Sequence, residues 1–351
     1  MQFGLSEEQT LLQDTLLRFL REQVPLDRVR SYADGGTDAD IWQGLTELGI
    51  PALLIPEAQG GLGMTPLDAA IVAEALGYHV CPGPFVSSAV MAVSVLSAAD
   101  GQDERLAAMA AGTLRIGVAF GEAVGRRLHG NVTFTDGSLD GHSLFAFDDA
   151  ADAYLVADSS KHIYLVAADQ LQRKPLTTVD RSRRTVELIF EHATAERVSS
   201  DPELFSQALD MGRVMLAADT LGAAQSMLDQ AVAYAKEREQ FNRPIGSFQA
   251  VKHMCAEMAA NLEPCRAMVW FAAHALAELP DEARLTACHT KAHLAEVGKF
   301  VAKTATEVHG GMGFTDLLGL HYWFKRCGSN RQWLGAPELV REEAAQLQGL
   351  A

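Results

Sequence analysis

Two stretches of this 351-residue chain set chemically capable side chains beside permissive backbone. The first is Arg238-Glu239-Gln240-Phe241-Asn242-Arg243-Pro244-Ile245, continued by Phe248-Gln249; the second is Glu307-Val308-His309-Gly310-Gly311-Met312-Gly313-Phe314. A guanidinium is a planar fork of donors that suits a diphosphate, and glycines let backbone come close to a nucleotide. Each residue also has an ordinary reading. Arg238 could instead be a cation at the carbonyl end of a helix, Gly310-Gly311 a turn, Phe241 core, and His309 a packed helix-end ring. No His/Cys/Asp set has the spacing of a metal site, and no Gly-x-Ser-x-Gly or Cys/His nucleophile context occurs. The five cysteines are odd in number and form no CxxC pair, so they read as free thiols of a reducing cytosol.

The elements that must position these residues are helical, then β, then helical again. Ser6 and Gln9 form a capping-box pattern ahead of Leu11, Leu12, Leu16, Leu17 and Leu20. Trp42, Leu45 and Leu48 mark a short helix ended by Gly49, and Thr65-Pro66 opens another. Helical pattern returns across 84–112. From about Ile116 to Val198 short alternating runs separated by Asp136-Gly137 and Asp140-Gly141 predict a small antiparallel β unit. Asp201-Pro202 then starts a helix of about 35 residues, followed by helices over 249–279, 282–309 and 337–347. The expected class is α+β, divided into 1–115, 116–200 and 201–351.

Several segments resemble the acyl-CoA dehydrogenase family. They are Trp42-x-x-Leu45-x-Glu47-Leu48-Gly49-Ile50 with Ile55-Pro56-Glu57-x-x-Gly60-Gly61-x-Gly63, then Leu139-Asp140-Gly141-His142, Ala150 to Ala157, and the two stretches above. The resemblance implies an N-terminal helical domain, a central β domain and a C-terminal four-helix bundle. It also implies FAD, an acyl-CoA substrate, electron-transfer flavoprotein as acceptor, and a flavin site built from two chains. By this resemblance Arg238, Gln240, Phe241, Glu307, Gly310 and Gly311 bind the diphosphate and adenosine of a neighbour's flavin. A glutamine is usual in the family where Glu307 stands. The reaction removes an α proton by a carboxylate while a hydride leaves the β carbon, so it needs a positioned Glu.

The chain departs from that requirement. The family places its base at one of two positions, and here these are Leu334, within Trp333-Leu334-Gly335-Ala336, and Gly212, just before Arg213. Neither side chain accepts a proton. Glu338 matches a different family glutamate, and Asp210 points about 200° away from Gly212 on a helix. The region Gly117 to Arg127 lacks the family's Gly-Ser-Asp segment that holds the flavin ring; Glu122 alone resembles a remnant. No residue is therefore assigned as catalytic and none as a metal ligand. Arg213 is expected to brace the wall of the site, and Trp333 to fill the space near the lost base.

A net charge of −16 argues against nucleic acid and membrane surfaces as partners. The opening residues carry no signal-peptide pattern and no apolar run is long enough to span a bilayer, so a cytoplasmic location is expected. The resemblance implies one subunit of a heteromeric α2β2 dehydrogenase of lipid or sterol catabolism. Such a subunit donates the ADP-binding half of a flavin site to a homologous partner that carries the catalytic Glu. Two other readings use the same residues: a homo-oligomeric flavoenzyme with a displaced base, and a non-enzymatic acyl-CoA-binding or scaffold protein.

Overall fold

A computed structural model describes residues 4–125 and 131–351. The first layer contains α1 (Glu7–Gln23), α2 (Leu26–Ala33), α3 (Ala39–Glu47), α4 (Pro66–Tyr78), a π-helical segment Phe85–Ala92 continuing into α5 (Val93–Ala98), and α6 (Asp103–Ala110). The predicted capping box of Ser6 with Gln9 forms on α1, and the predicted Thr65-Pro66 cap opens α4, where Asp68 completes a second box not anticipated from sequence. Gly49 ends the third helix region at φ +76°, a conformation open to glycine.

The middle layer is a sheet of β1 (Ile116–Ala119), β2 (Asn131–Thr135), β3 (Ser138–Phe147), β4 (Ala153–Ala157), β5 (Ile163–Ala167), β6 (Gln172–Leu176), β7 (Thr185–Thr194) and β8 (Glu196–Ser199), with the short α7 (Gly121–Val124) after β1. Strand order is β6-β7-β3-β1-β4-β5-β8, and β2 pairs with β3. The expectation of an antiparallel sheet is corrected on one point. β1 runs parallel to β4, with Val118 opposite Leu155, so the sheet is mixed. The physical reason is burial on both faces. Every residue of β1 and β4 is buried, the continuous apolar pattern of a parallel pair and not the alternation of a hairpin.

The last layer holds α8 (Pro202–Glu237), the hairpin β9 (Glu239–Gln240) and β10 (Arg243–Pro244), α9 (Gln249–Glu278), α10 (Pro280–His309), α11 (His321–Gln332) and α12 (Pro337–Leu347). Sequence pattern did not reveal α11. Helix α8 crosses α4 at very short range. A Cβ on Gly222 would meet Glu74 O at 1.8 Å, and one on Gly77 would meet Asp219 O at 2.0 Å. One apolar core runs from Leu16 and Trp42 through Val118 and Leu155 into Leu216, Met227 and Val301, welding the three layers together. Among the described residues no helix is long and apolar enough to cross a membrane.

Candidate functional site

Helix α8 carries one candidate region at each end. Gly212 lies near its start, where a Cβ would stand 2.6 Å from Leu334 Cδ1 and 2.6 Å from Met91 Sδ. The two positions at which a base was expected thus face the same point, and hydrocarbon and thioether fill it. Leu334 is buried at φ +56°, a left-handed conformation that a bulky side chain adopts only under constraint. Two buried cations supply that constraint. Arg213 Nε donates to Leu334 O at 3.0 Å. Lys291 Nζ donates to Asn330 O at 2.6 Å, Arg331 O at 3.3 Å and Gly335 O at 3.4 Å, closing the carbonyl end of α11. Burial, with Arg213 and Arg331 nearby, pushes the Lys291 ammonium down to about 7.

The rest of Arg213 is spent on Glu343 (2.8 Å), Asp210 (3.5 Å) and Cys288 Sγ (3.5 Å). Those three side chains converge within 4.8 Å of one another, but the guanidinium bonds to all of them. Burial pushes the Cys288 thiol up to about 12, so it offers no thiolate. Asp210 also accepts from Arg284 at 3.1 Å, and burial raises its carboxyl to about 6 against the pull of both arginines. Glu338 is exposed and pairs with Arg331. Neither carboxylate reaches the Gly212–Leu334 contact.

Beside that contact the three layers enclose a cleft. Trp333 packs edge-on against Phe147 at 4.3 Å between ring centres, and Arg183 lies over the indole at 5.1 Å. Beneath them Asp219 accepts from Arg326 (3.0 and 2.8 Å), Arg183 (2.7 Å) and Asn330 (2.6 Å). Burial alone would raise this carboxyl, yet Arg183 and Arg326 hold it at about 2. The cavity left between Trp42, Phe85, Phe147, Arg183, Asp219 and Trp333 measures about 40 Å³, room for a few water molecules. Glu122 Oε1 accepts from Leu144 N at 2.8 Å, so this residue is tied to β3. Arg126 and Arg127 lie outside the described residues.

At the other end of α8 the candidate nucleotide residues come together. The Tyr234 ring of α8 meets the His309 ring of α10 at 4.7 Å, bringing the two helix ends side by side. His309 is itself buried, with Nδ1 2.7 Å from Ala305 O. Arg238 caps α8 and is exposed, as are Gln240, Phe241, Glu307, Gly310 and Gly311. Nothing lies within 4 Å of where a Cβ would stand on Gly310 or Gly311, so the backbone there is open to a ligand. Phe241 and Asn242 form the two-residue turn of the β9–β10 hairpin at φ +55° and +60°, the pattern of a type I′ turn. Phe241 is the wrong residue type for it. A bulky side chain in this conformation costs roughly 1–2 kcal/mol, and Phe241 is 87% exposed, so packing in this chain returns little of that cost. The guanidinium, open glycine backbone and uncovered aromatic together fit the diphosphate and adenosine portion of FAD.

Known proteins match along most of this architecture. The acyl-CoA dehydrogenase N-terminal domain model matches residues 6–113, and the C-terminal domain model matches residues 203–347. Acyl-CoA dehydrogenase IpdE2 of Mycolicibacterium smegmatis is 31% identical over 98% of this chain and 99% of its own length. The chain belongs to the acyl-CoA dehydrogenase family, FAD-dependent oxidoreductases. Two solved complexes resemble it in structure. The ChsE4-ChsE5 complex of Mycobacterium tuberculosis matches at TM-score 0.91 with 25% identity over the whole of both chains. The Tcur3481-Tcur3483 steroid acyl-CoA dehydrogenase G363A variant matches at TM-score 0.89 with 25% identity over 98% of each chain. The α+β fold of helices, central sheet and helices is the family's. The Asp219 network and the Lys291 cap were not anticipated from sequence. A buried Asp on one helix and cations 36 and 107 residues away carry no local pattern.

Proposed function

We propose that this chain is the base-lacking subunit of a heteromeric acyl-CoA dehydrogenase, donating the ADP-binding half of an FAD site to a homologous partner that carries the catalytic Glu and the ring contacts. The observation that carries this reading is the contrast along α8: both base positions meet in a filled apolar contact, while the nucleotide residues stand exposed at the opposite end. When bound, FAD supplies the hydride acceptor. This chain's part is to bind: Arg238 on the diphosphate, the Gly310-Gly311 backbone near the nucleotide, and Phe241 against it. Relatives named for two-component complexes, one of them a steroid enzyme, favour a sterol-derived or other bulky acyl-CoA as substrate for the assembly.

The test is co-expression with a homologous chain that bears the Glu, followed by an absorption spectrum and subunit count. A yellow heteromer with fewer flavins than chains supports the reading. Arg238→Ala should leave the complex at the same size and lower its flavin affinity tenfold or more, the loss of a charged hydrogen bond of roughly 1.5–3 kcal/mol. Full flavin occupancy of the Arg238→Ala complex on dilution would refute it. A chain that turns yellow and oxidises acyl-CoA alone would instead favour the homo-oligomeric enzyme.

A further inference from the structure

The loop after the glycine motif, residues 315–320, is gripped from behind by the N-terminal layer. Arg30 of α2 donates through Nη2 to Asp316 O and to Leu317 O, the latter at 3.0 Å, and its Nε lies 3.6 Å from the Asp316 carboxylate. Asp27 holds the same guanidinium through Nη1 at 2.8 Å, and His321 Nε2 lies 2.8 Å from Asp316 Oδ1. Leu26, also on α2, fits under Gly319. There φ is +66°, and a Cβ would strike both Leu26 methyls at 2.7 Å. On its outer side the same segment presents Phe314 and Leu317, 79% and 75% exposed. Phe314 closes the turn that begins with Gly310 and Gly311. Loops are ordinarily the mobile parts of a fold. This one has its backbone carbonyls tied to a helix about 285 residues earlier, Leu320 anchored in the core, and Phe314 and Leu317 facing away from the chain.

We propose that Arg30 is a positioning residue: it presets loop 315–320, and with it the glycine turn, for docking on the flavin-bearing partner chain. The inference rests on the half-site reading. Its physical content is pre-organisation. A loop already held in its docked form does not charge its ordering entropy to the binding step.

Arg30→Ala, with Gly319→Ala as a second variant attacking the same grip from the Leu26 side, is compared with wild type in three measurements. Amide exchange at 315–320 in the isolated chain should quicken while the melting temperature moves little. Association with the partner chain should weaken by roughly three- to tenfold, and flavin release from the complex should quicken in step. Arg30→Lys, which keeps the charge but not the fork, should fall between. Faster loop exchange with unchanged association and flavin release in both variants would overturn the proposal. So would unchanged exchange, or a loss of association matched by global destabilisation in all three variants. If wild type forms no flavin-bearing complex, or Arg238→Ala has no effect on one, the half-site reading itself fails. That outcome is separate from Arg238 mattering while Arg30 does not.

Discussion

The two ends of α8 present opposite solutions to the same surroundings. Gly212 and Arg238 are 26 residues apart, about 39 Å along a helix rising ~1.5 Å per residue. At the first end every group is spoken for. Leu334 and Met91 close on Gly212, and Arg213 and Lys291 pin the turn that delivers Leu334. At the second end, conformational cost is visible and its return is not. Phe241 holds a strained, exposed turn, and Arg238 caps a helix with its side chain in solvent. On the half-site reading, lost chemistry shows as good packing, and retained chemistry shows as exposure that packing does not explain.

The sharpest way to break that comparison is to restore the base. The isolated chain should show no useful dye-linked oxidation of acyl-CoAs, since losing a general base costs roughly 10²–10⁴-fold. Leu334→Glu alone should not recover it. The new carboxylate would lie buried against Met91 and the face of Gly212. Robust turnover by the pure chain, or by Leu334→Glu, would show that the filled end is not closed to chemistry.

A smaller effect tests how the filled end is held. Lys291→Met should destabilise the chain by about 2–3 kcal/mol at neutral pH, because buried carbonyls at the end of α11 lose their donor. It should also alter the pH dependence. Lys291 titrates at about 7 in the folded chain and near the ordinary lysine value of about 10.4 when unfolded. Between those values the unfolded chain binds more protons, so wild-type stability gains a contribution that grows as pH rises above about 7. The buried thiols Cys81, Cys288 and Cys327, pushed up to about 12, work in the opposite direction once their unfolded counterparts titrate near about 8.5. Denaturant midpoints compared at pH 7 and pH 8 isolate the lysine: the rise should be present in wild type and flatter in Lys291→Met. Equal slopes would place the lysine proton elsewhere in the balance.

How much of this was legible in the sequence differs by element. Helices α1, α4 and α8 announce themselves through Ser6, Thr65-Pro66 and Asp201-Pro202, since caps are local chemistry. The parallel pairing of β1 with β4 is not local. Its strands are separated by the whole β2–β3 hairpin, and the unbroken burial of Ile116 to Ala119 that goes with it shows only in the fold. Helix α11 was missed because Gly328-Ser329-Asn330 reads as a breaker. Tertiary bonds overrule that preference: Arg326 and Asn330 from this helix both reach Asp219. At the site, residue types could mark Leu334 and Gly212 as unable to act as bases. That the two touch each other, and that Met91 completes the contact, required the fold. The clustering of Arg238 with Glu307 and Gly310 likewise depends on the Tyr234–His309 contact, which no spacing rule supplies.

The smallest effect is also the most discriminating, because its two readouts carry opposite signs. Phe241→Gly removes the Cβ that makes φ +55° unfavourable. The isolated chain loses little packing, since the ring is largely exposed and meets Phe248 edge-on at 6.0 Å. Glycine also gives the unfolded chain more freedom, which offsets part of the gain. The net expectation is a stability unchanged or raised by up to about 1 kcal/mol. In the heteromer the same change should lower flavin retention, because the aromatic surface that the turn holds outward is gone. Thermal melts of the free chain and flavin release from the complex read the two effects separately. If Phe241→Gly destabilises the free chain and leaves flavin release untouched, the ring belongs to the fold of this chain, and the exposed end of α8 loses its claim to be different from the filled one.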